Sequence, residues 1–89
     1  MSKILVIDDE SSIRSLLRVS LTHKGYEVIV AENGRKGIEI FEKVKPSIVL
    51  TDIKMPGMDG IEVLKQIKEL NPDAEVIMIT GHGGYGFSY

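Results

Sequence analysis

The sequence predicts one α/β domain in which a parallel sheet is flanked by helices. Three observations carry this prediction. Four short apolar runs recur along the chain. The segments between them carry apolar residues at helical spacing. The two kinds of segment alternate strictly, as βαβαβαβ, which implies right-handed crossovers and a layered fold. The length of 89 residues accommodates one small domain and not two.

The elements follow in order. Lys3–Asp8 (KILVID) is a continuous apolar run ending in acid, the pattern of a strand buried on both faces. Ile13, Leu16, Leu17, Ser20 and Leu21 then mark one helix face, with Ser11 or Ser12 as cap and Gly25 beyond its end. Tyr26–Val30 (YEVIV) is a second strand. Asn33 caps a second helix striped by Gly37, Ile38, Phe41 and Val44, and Pro46 follows its end. Ser47–Thr51 (SIVLT) is a third strand. The run Lys54–Gly60 holds Pro56, Gly57 and Gly60 and reads as a loop. Asp59 caps a third helix carrying Ile61, Leu64, Ile67 and Leu70, which Asn71-Pro72 ends. Glu75–Thr80 (EVIMIT) is a fourth strand. Residues 1–80 form this unit. Residues 81–89 (GHGGYGFSY) differ in texture, with four Gly and three aromatics in nine residues.

Composition excludes several function classes. With 43% hydrophobic and 27% charged residues the chain is not of the disordered type. No apolar run approaches the ~20 residues of a membrane helix, and none resembles a signal peptide. The absence of cysteine excludes disulfides and thiolate zinc sites. A net charge of −2 gives no bulk nucleic-acid surface. A cytoplasmic protein, without membrane or nucleic-acid contact of its own, is the simplest inference.

In open parallel sheets, sites form at the carboxyl ends of strands where the strand order reverses. The first strand ends in Asp8, Asp9 and Glu10, the third in Thr51 and Asp52, and the fourth in Thr80. If the first and third strands are neighbours, Asp8, Asp9 and Asp52 converge. Three carboxylates together raise a pKa or recruit a cation. An all-oxygen set without His or Cys suits a hard ion, Mg²⁺ before Zn²⁺. Asp52 then has the chemistry of a nucleophile forming an acyl phosphate, and Thr80 that of a donor to a phosphoryl oxygen. Taken one at a time, each Asp is more often only a turn former or a helix cap; it is the convergence that shifts the balance.

The motifs ILVIDDE, DIKMPGMDG, NPD and EVIMITGHG, with Gly34 and Gly37 between them, resemble the receiver domain of two-component response regulators, most of all those of nitrogen-regulator type. The resemblance runs from Lys3 to about Gly83. It implies an incomplete flavodoxin-like fold with parallel sheet order 2-1-3-4, chemotaxis receivers having the order 2-1-3-4-5. It implies that Asp52 is the phosphoacceptor, that Asp8, Asp9, Asp52 and the Lys54 backbone carbonyl hold Mg²⁺, and that Thr80 contacts the phosphoryl group and acts as switch. Met55 and Pro56 shape the loop, and Gly60 lets the chain turn into the third helix. The implied partner is a histidine kinase, and the implied role is a signalling module rather than a turnover enzyme.

Relative to the family, the fourth helix, fifth strand and fifth helix have no counterpart. With them go the site lysine, for which Lys54 is no substitute by motif, and the aromatic switch residue. The expected consequence is impaired phosphorylation. A fourth strand left as an exposed apolar edge invites pairing with another chain, so a homodimer or higher homo-oligomer through that strand or the tail is expected. The alternating Tyr85, Phe87 and Tyr89 suit either an added strand or a disordered tail. The second functional reading is therefore a self-associating fragment that does not signal. A Mg²⁺-dependent phosphatase is disfavoured because Lys54 stands where its second acid is required. The GxGxxG match over residues 81–86 opens no βαβ unit and carries little, and His23 and His82 lack ligand spacing.

Overall fold

The computed structural model describes residues 2–79 and 86–88. Its elements are β1 (Lys3–Ile7), α1 (Ser11–His23), β2 (Glu27–Ala31), α2 (Gly34–Val44), β3 (Ile48–Asp52), α3 (Gly60–Leu70), β4 (Glu75–Ile79) and β5 (Gly86–Ser88). The sheet order is β2-β1-β3-β4-β5, parallel from β2 to β4. The expected 2-1-3-4 order is therefore present. Among the described residues no helix is long and apolar enough to cross a membrane.

Handedness fixes the layers. The step from β1 to β2 runs one way across the sheet, and the steps to β3 and β4 run the other way. Right-handed crossovers then put α1 on one face and α2 and α3 on the opposite face. The main core lies under α2 and α3, where Leu5, Ile7, Val49 and Val76 from the sheet meet Ile38, Phe41, Val63 and Ile67. The face under α1 is thinner. No residue of α1 is buried. Ile13, Leu17 and Leu21 are half-buried, whereas Leu16 stands 62% exposed and Val19 67%. α1 lies over β1 and β2, so Leu50, Ile77 and Ile79 of β3 and β4 are only half-buried.

Local signals account for most boundaries. Asn33 and Asp59 cap α2 and α3 as expected, their side chains accepting from the N–H groups of Lys36 and Glu62 at 2.9 Å. α1 differs. Its cap is Glu10 without a side-chain bond, and Ser11 and Ser12 are already helical. The Glu10 N–H is taken instead by the Asp8 carboxylate at 2.9 Å, which pulls the helix start one residue earlier. α2 ends on Lys45 in the left-handed region, at φ 53°, where glycine is usual. Lys45→Gly removes that Cβ penalty. It is expected to stabilise by about 0.5–1 kcal/mol, read as a rise of a few degrees in thermal midpoint.

One expectation changes. The outer edge of β4 is not open along its length, because β5 pairs with it antiparallel, Ile77 opposite Ser88, Met78 opposite Phe87 and Ile79 opposite Gly86. A backbone edge whose N–H and C=O groups are already paired is no template for a second chain. The tail supplies this strand in the direction opposite to the parallel fifth strand that the family resemblance would supply. Thr80, Tyr85 and Tyr89, and the GxGxxG run with its His82, lie wholly or in part outside the described residues.

Candidate functional site

The order reversal between β2-β1 and β3-β4 makes β1/β3 the switch point. Ile7 lies opposite Thr51 in the register, so the next residue on each strand, Asp8 and Asp52, emerges at the same level. Asp9 follows in the β1–α1 turn. The ligand oxygens of Asp8, Asp9 and Asp52 all lie within 4.8 Å of one another. Asp8 and Asp52 are buried and Asp9 is exposed. Of the other expected site residues, Lys54 is exposed in the loop two positions after Asp52, and Thr80 lies outside the described residues.

Hydrogen bonds hold this arrangement from behind. The Asp8 N–H donates to the Ala31 carbonyl at 3.1 Å, tying the turn to the end of β2. The Asp8 carboxylate accepts from Glu10 N–H. The Asp8 carbonyl accepts from Arg14 Nη1 at 2.6 Å. Behind Asp52, the Gly60 N–H donates to the Ile53 carbonyl at 2.8 Å. A Cβ built on Gly60 would stand 2.3 Å from the Asp52 carbonyl oxygen and 2.9 Å from Ile53 Cα. The glycine is needed for this close approach of backbones and not, as the family resemblance suggests, to turn the chain. Positive φ falls on Gly57 instead, at 76°.

The sequence reading did not find Arg14. A signal was present, because a cation in the first turn of a helix opposes the helix dipole, and α1 has no acid there to balance it.

The donor set fits a hard divalent cation: three carboxylates on one locus with no nitrogen or sulfur donor among them. The metal-free cluster bears a cost. Burial raises the Asp8 pKa, the Glu10 N–H opposes the rise, and the charges of Asp52, Asp9 and Glu10 add to it. The folded chain thus binds the Asp8 proton more tightly than the unfolded chain does. That stabilisation is fully present below the ordinary carboxyl pKa and is lost as pH rises through the raised native value. Asp8→Asn keeps an acceptor for Glu10 N–H without the charge. Across that window, metal-free thermal midpoints are expected to fall with rising pH in the parent and to fall less in Asp8→Asn.

The family model for the response regulator receiver domain matches residues 4–86. The chain belongs to the response-regulator receiver family. Over 81 residues this receiver chain is 43% identical to sporulation initiation phosphotransferase F of Bacillus subtilis, covering 91% of the chain and 65% of that protein. It is 47% identical to the probable transcriptional regulator ycf27 of Porphyra purpurea, covering 91% of the chain but 33% of that protein. The chain thus spans about two thirds of the first relative and one third of the second. The receiver fold superposes on the response regulator TrrA of Thermotoga maritima, solved with Mg²⁺-BeF, with a TM-score of 0.88, 41% identity and coverage of 96% of this chain and 74% of that one. TrrA has also been solved in complex with the histidine kinase ThkA. Sporulation, chemotaxis and transcriptional regulators all appear among such relatives, so no nitrogen-regulator branch is singled out.

Proposed function

We propose that this chain is a phosphoacceptor module that receives a phosphoryl group from a histidine kinase onto Asp52, with Mg²⁺, and loses it to water. The observation that carries the reading is the convergence of the Asp8, Asp9 and Asp52 oxygens at the sheet's switch point. A carboxylate oxygen of Asp52 attacks phosphorus, the bond from phosphorus to the donor breaks, and the donor leaves with that electron pair. The product is an acyl phosphate. Water later attacks the same phosphorus, releases inorganic phosphate and restores the carboxylate. Asp8, Asp9, Asp52 and the Lys54 carbonyl would hold the ion, which offsets the negative charge gathered in the pocket when bound. Thr80 is assigned the phosphoryl contact and switch role by family resemblance. The kinase partner is supported by the TrrA–ThkA complex. A cytoplasmic setting is part of the same proposal.

β5 brings Gly86, Phe87 and Ser88 beside β4 and no cation. The test is intact mass after incubation with Mg²⁺ and a small-molecule phosphodonor. A gain of one phosphoryl group is expected in the parent. No gain in a folded, Mg²⁺-binding chain would favour the second reading, a non-signalling fragment that self-associates.

That second reading is favoured by one observation, the half-buried apolar side chains of Leu50, Ile77 and Ile79 on the part of the sheet beyond β1 and β2, over which α1 lies. With the β4 edge paired by β5, association would use this α1-side face. A monodisperse monomer in light scattering removes it.

A further inference from the structure

Arg14 stands out because it contradicts its local setting. It is the fourth residue of α1, where the helix N-terminus disfavours a cation. It nevertheless holds a half-buried position, with Nη1 donating to the Asp8 carbonyl at 2.6 Å. That carbonyl belongs to the peptide joining Asp8 to Asp9. The turn around it carries three consecutive acids, Asp8, Asp9 and Glu10, whose repulsion favours opening it. Asp8 has two further ties, through its N–H to Ala31 and through its carboxylate to Glu10. Asp9 is exposed, and no side-chain hydrogen bond orients its carboxylate among the described residues. The Cα–Cβ bond that carries it is placed from the Asp8–Asp9 peptide plane, and its rotamers turn from there. The charge-assisted bond from Arg14 holds that plane.

We propose that Arg14 is a positioning residue for the acidic pair, fixing the Asp8–Asp9 peptide so that the Asp9 carboxylate faces Asp8 and Asp52. The inference rests on the cation reading of the site given above. It makes a prediction opposite in sign to simple electrostatics. Removing a positive charge beside a cation site tightens cation binding by Coulomb's law. Removing a residue that orients a ligand loosens it, typically ten- to a hundredfold for partners outside the coordination sphere.

The experiment is calorimetric titration of the metal-free chain with Mg²⁺ in the parent, Arg14→Ala, Arg14→Lys and Arg18→Ala, each checked for folding by thermal melting. Arg18 is exposed one turn further along α1 and carries the same charge. Arg14→Ala is expected to weaken Mg²⁺ binding about tenfold. Arg14→Lys should recover most of the loss, because the bond is single and needs one charged donor rather than a fork. Arg18→Ala should leave affinity unchanged or slightly tighter. Equal or tighter binding in Arg14→Ala overturns the proposal while leaving the cation site standing. If Arg14→Ala does not fold, an Arg14→Lys affinity no better than one-tenth of the parent's overturns it too. A parent that takes up no Mg²⁺ overturns the cation reading itself, and this inference with it.

Discussion

Asp52→Asn is expected to take up no phosphoryl group under conditions in which the parent chain gains one. Asp52 ends β3 at the switch point and is 7% exposed. Its ligand oxygen lies within 4.8 Å of those of Asp8 and Asp9. An amide oxygen in the same place is a far weaker nucleophile and forms no stable acyl phosphate, so the loss is of the reaction and not a fraction of its rate. The substitution is nearly isosteric and removes one of three mutually repelling charges. Metal-free stability is therefore expected to hold or rise, which separates lost chemistry from lost fold. Asp9→Asn leaves the acceptor in place and is expected to slow uptake without abolishing it. Intact mass over a time course, with thermal midpoints for each variant, checks all three statements. A phosphoryl group on Asp52→Asn would place the acceptor elsewhere.

Among the described glycines, Gly60→Ala is expected to cost the most stability. The new Cβ meets the Asp52 carbonyl oxygen at 2.3 Å, Ile53 Cα at 2.9 Å and the Asp52 carbonyl carbon at 3.1 Å. All three are backbone atoms of a buried strand end, so no rotamer change relieves the clash. Overpacking of this kind costs about 3 kcal/mol, the upper end of its usual range, against a total stability of roughly 5–15 kcal/mol. In a chain of this size that is a fall of roughly 10–20 °C in thermal midpoint. The strand end that must shift carries Asp52, so uptake should fall with it. Gly37→Ala is the control. Its Cβ meets side-chain atoms of the buried Ile7, Cδ1 at 2.3 Å and Cγ1 at 2.7 Å. A side chain can repack where backbone cannot, and alanine is the better helix former by about 1 kcal/mol, so the loss is expected to be smaller than at Gly60. A Gly60→Ala chain that melts like the parent would show that the α3–β3 contact is looser than described.

The same glycine explains where sequence patterning fell short. Of the stripe Ile61, Leu64, Ile67 and Leu70, Ile67 is buried and Leu64 packs against the core, but α3 also buries Gly60 and Val63 and leaves Ile61 41% and Leu70 49% exposed. Periodicity finds that a face exists. The rotation of the helix is set by the one residue small enough to abut the Asp52 carbonyl, and that is a tertiary constraint. The α1 stripe was read correctly in phase, yet Leu16 is exposed because α1 covers β1 and β2 only. The caps at Asn33 and Asp59 were legible because capping is local. The cap at Glu10 was not, since it depends on a hydrogen bond from a site carboxylate. Convergence of Asp8, Asp9 and Asp52 was legible because a parallel sheet with a switch point admits few arrangements of its strand ends. The cation at position 14 near a helix start is legible, but its partner is a carbonyl group that no pattern of side chains displays.

The central claim is that these three carboxylates form one cation-binding locus ready to accept a phosphoryl group on Asp52. A Mg²⁺ titration of the ¹⁵N-labelled chain, followed by backbone amide shifts, tests it most directly. Saturable shifts confined to residues 8–10 and 52–54, and weakened in Asp52→Asn, are the predicted result. Shifts that do not saturate, or that spread evenly over exposed acids such as Glu42, Glu62 and Glu69, would contradict it.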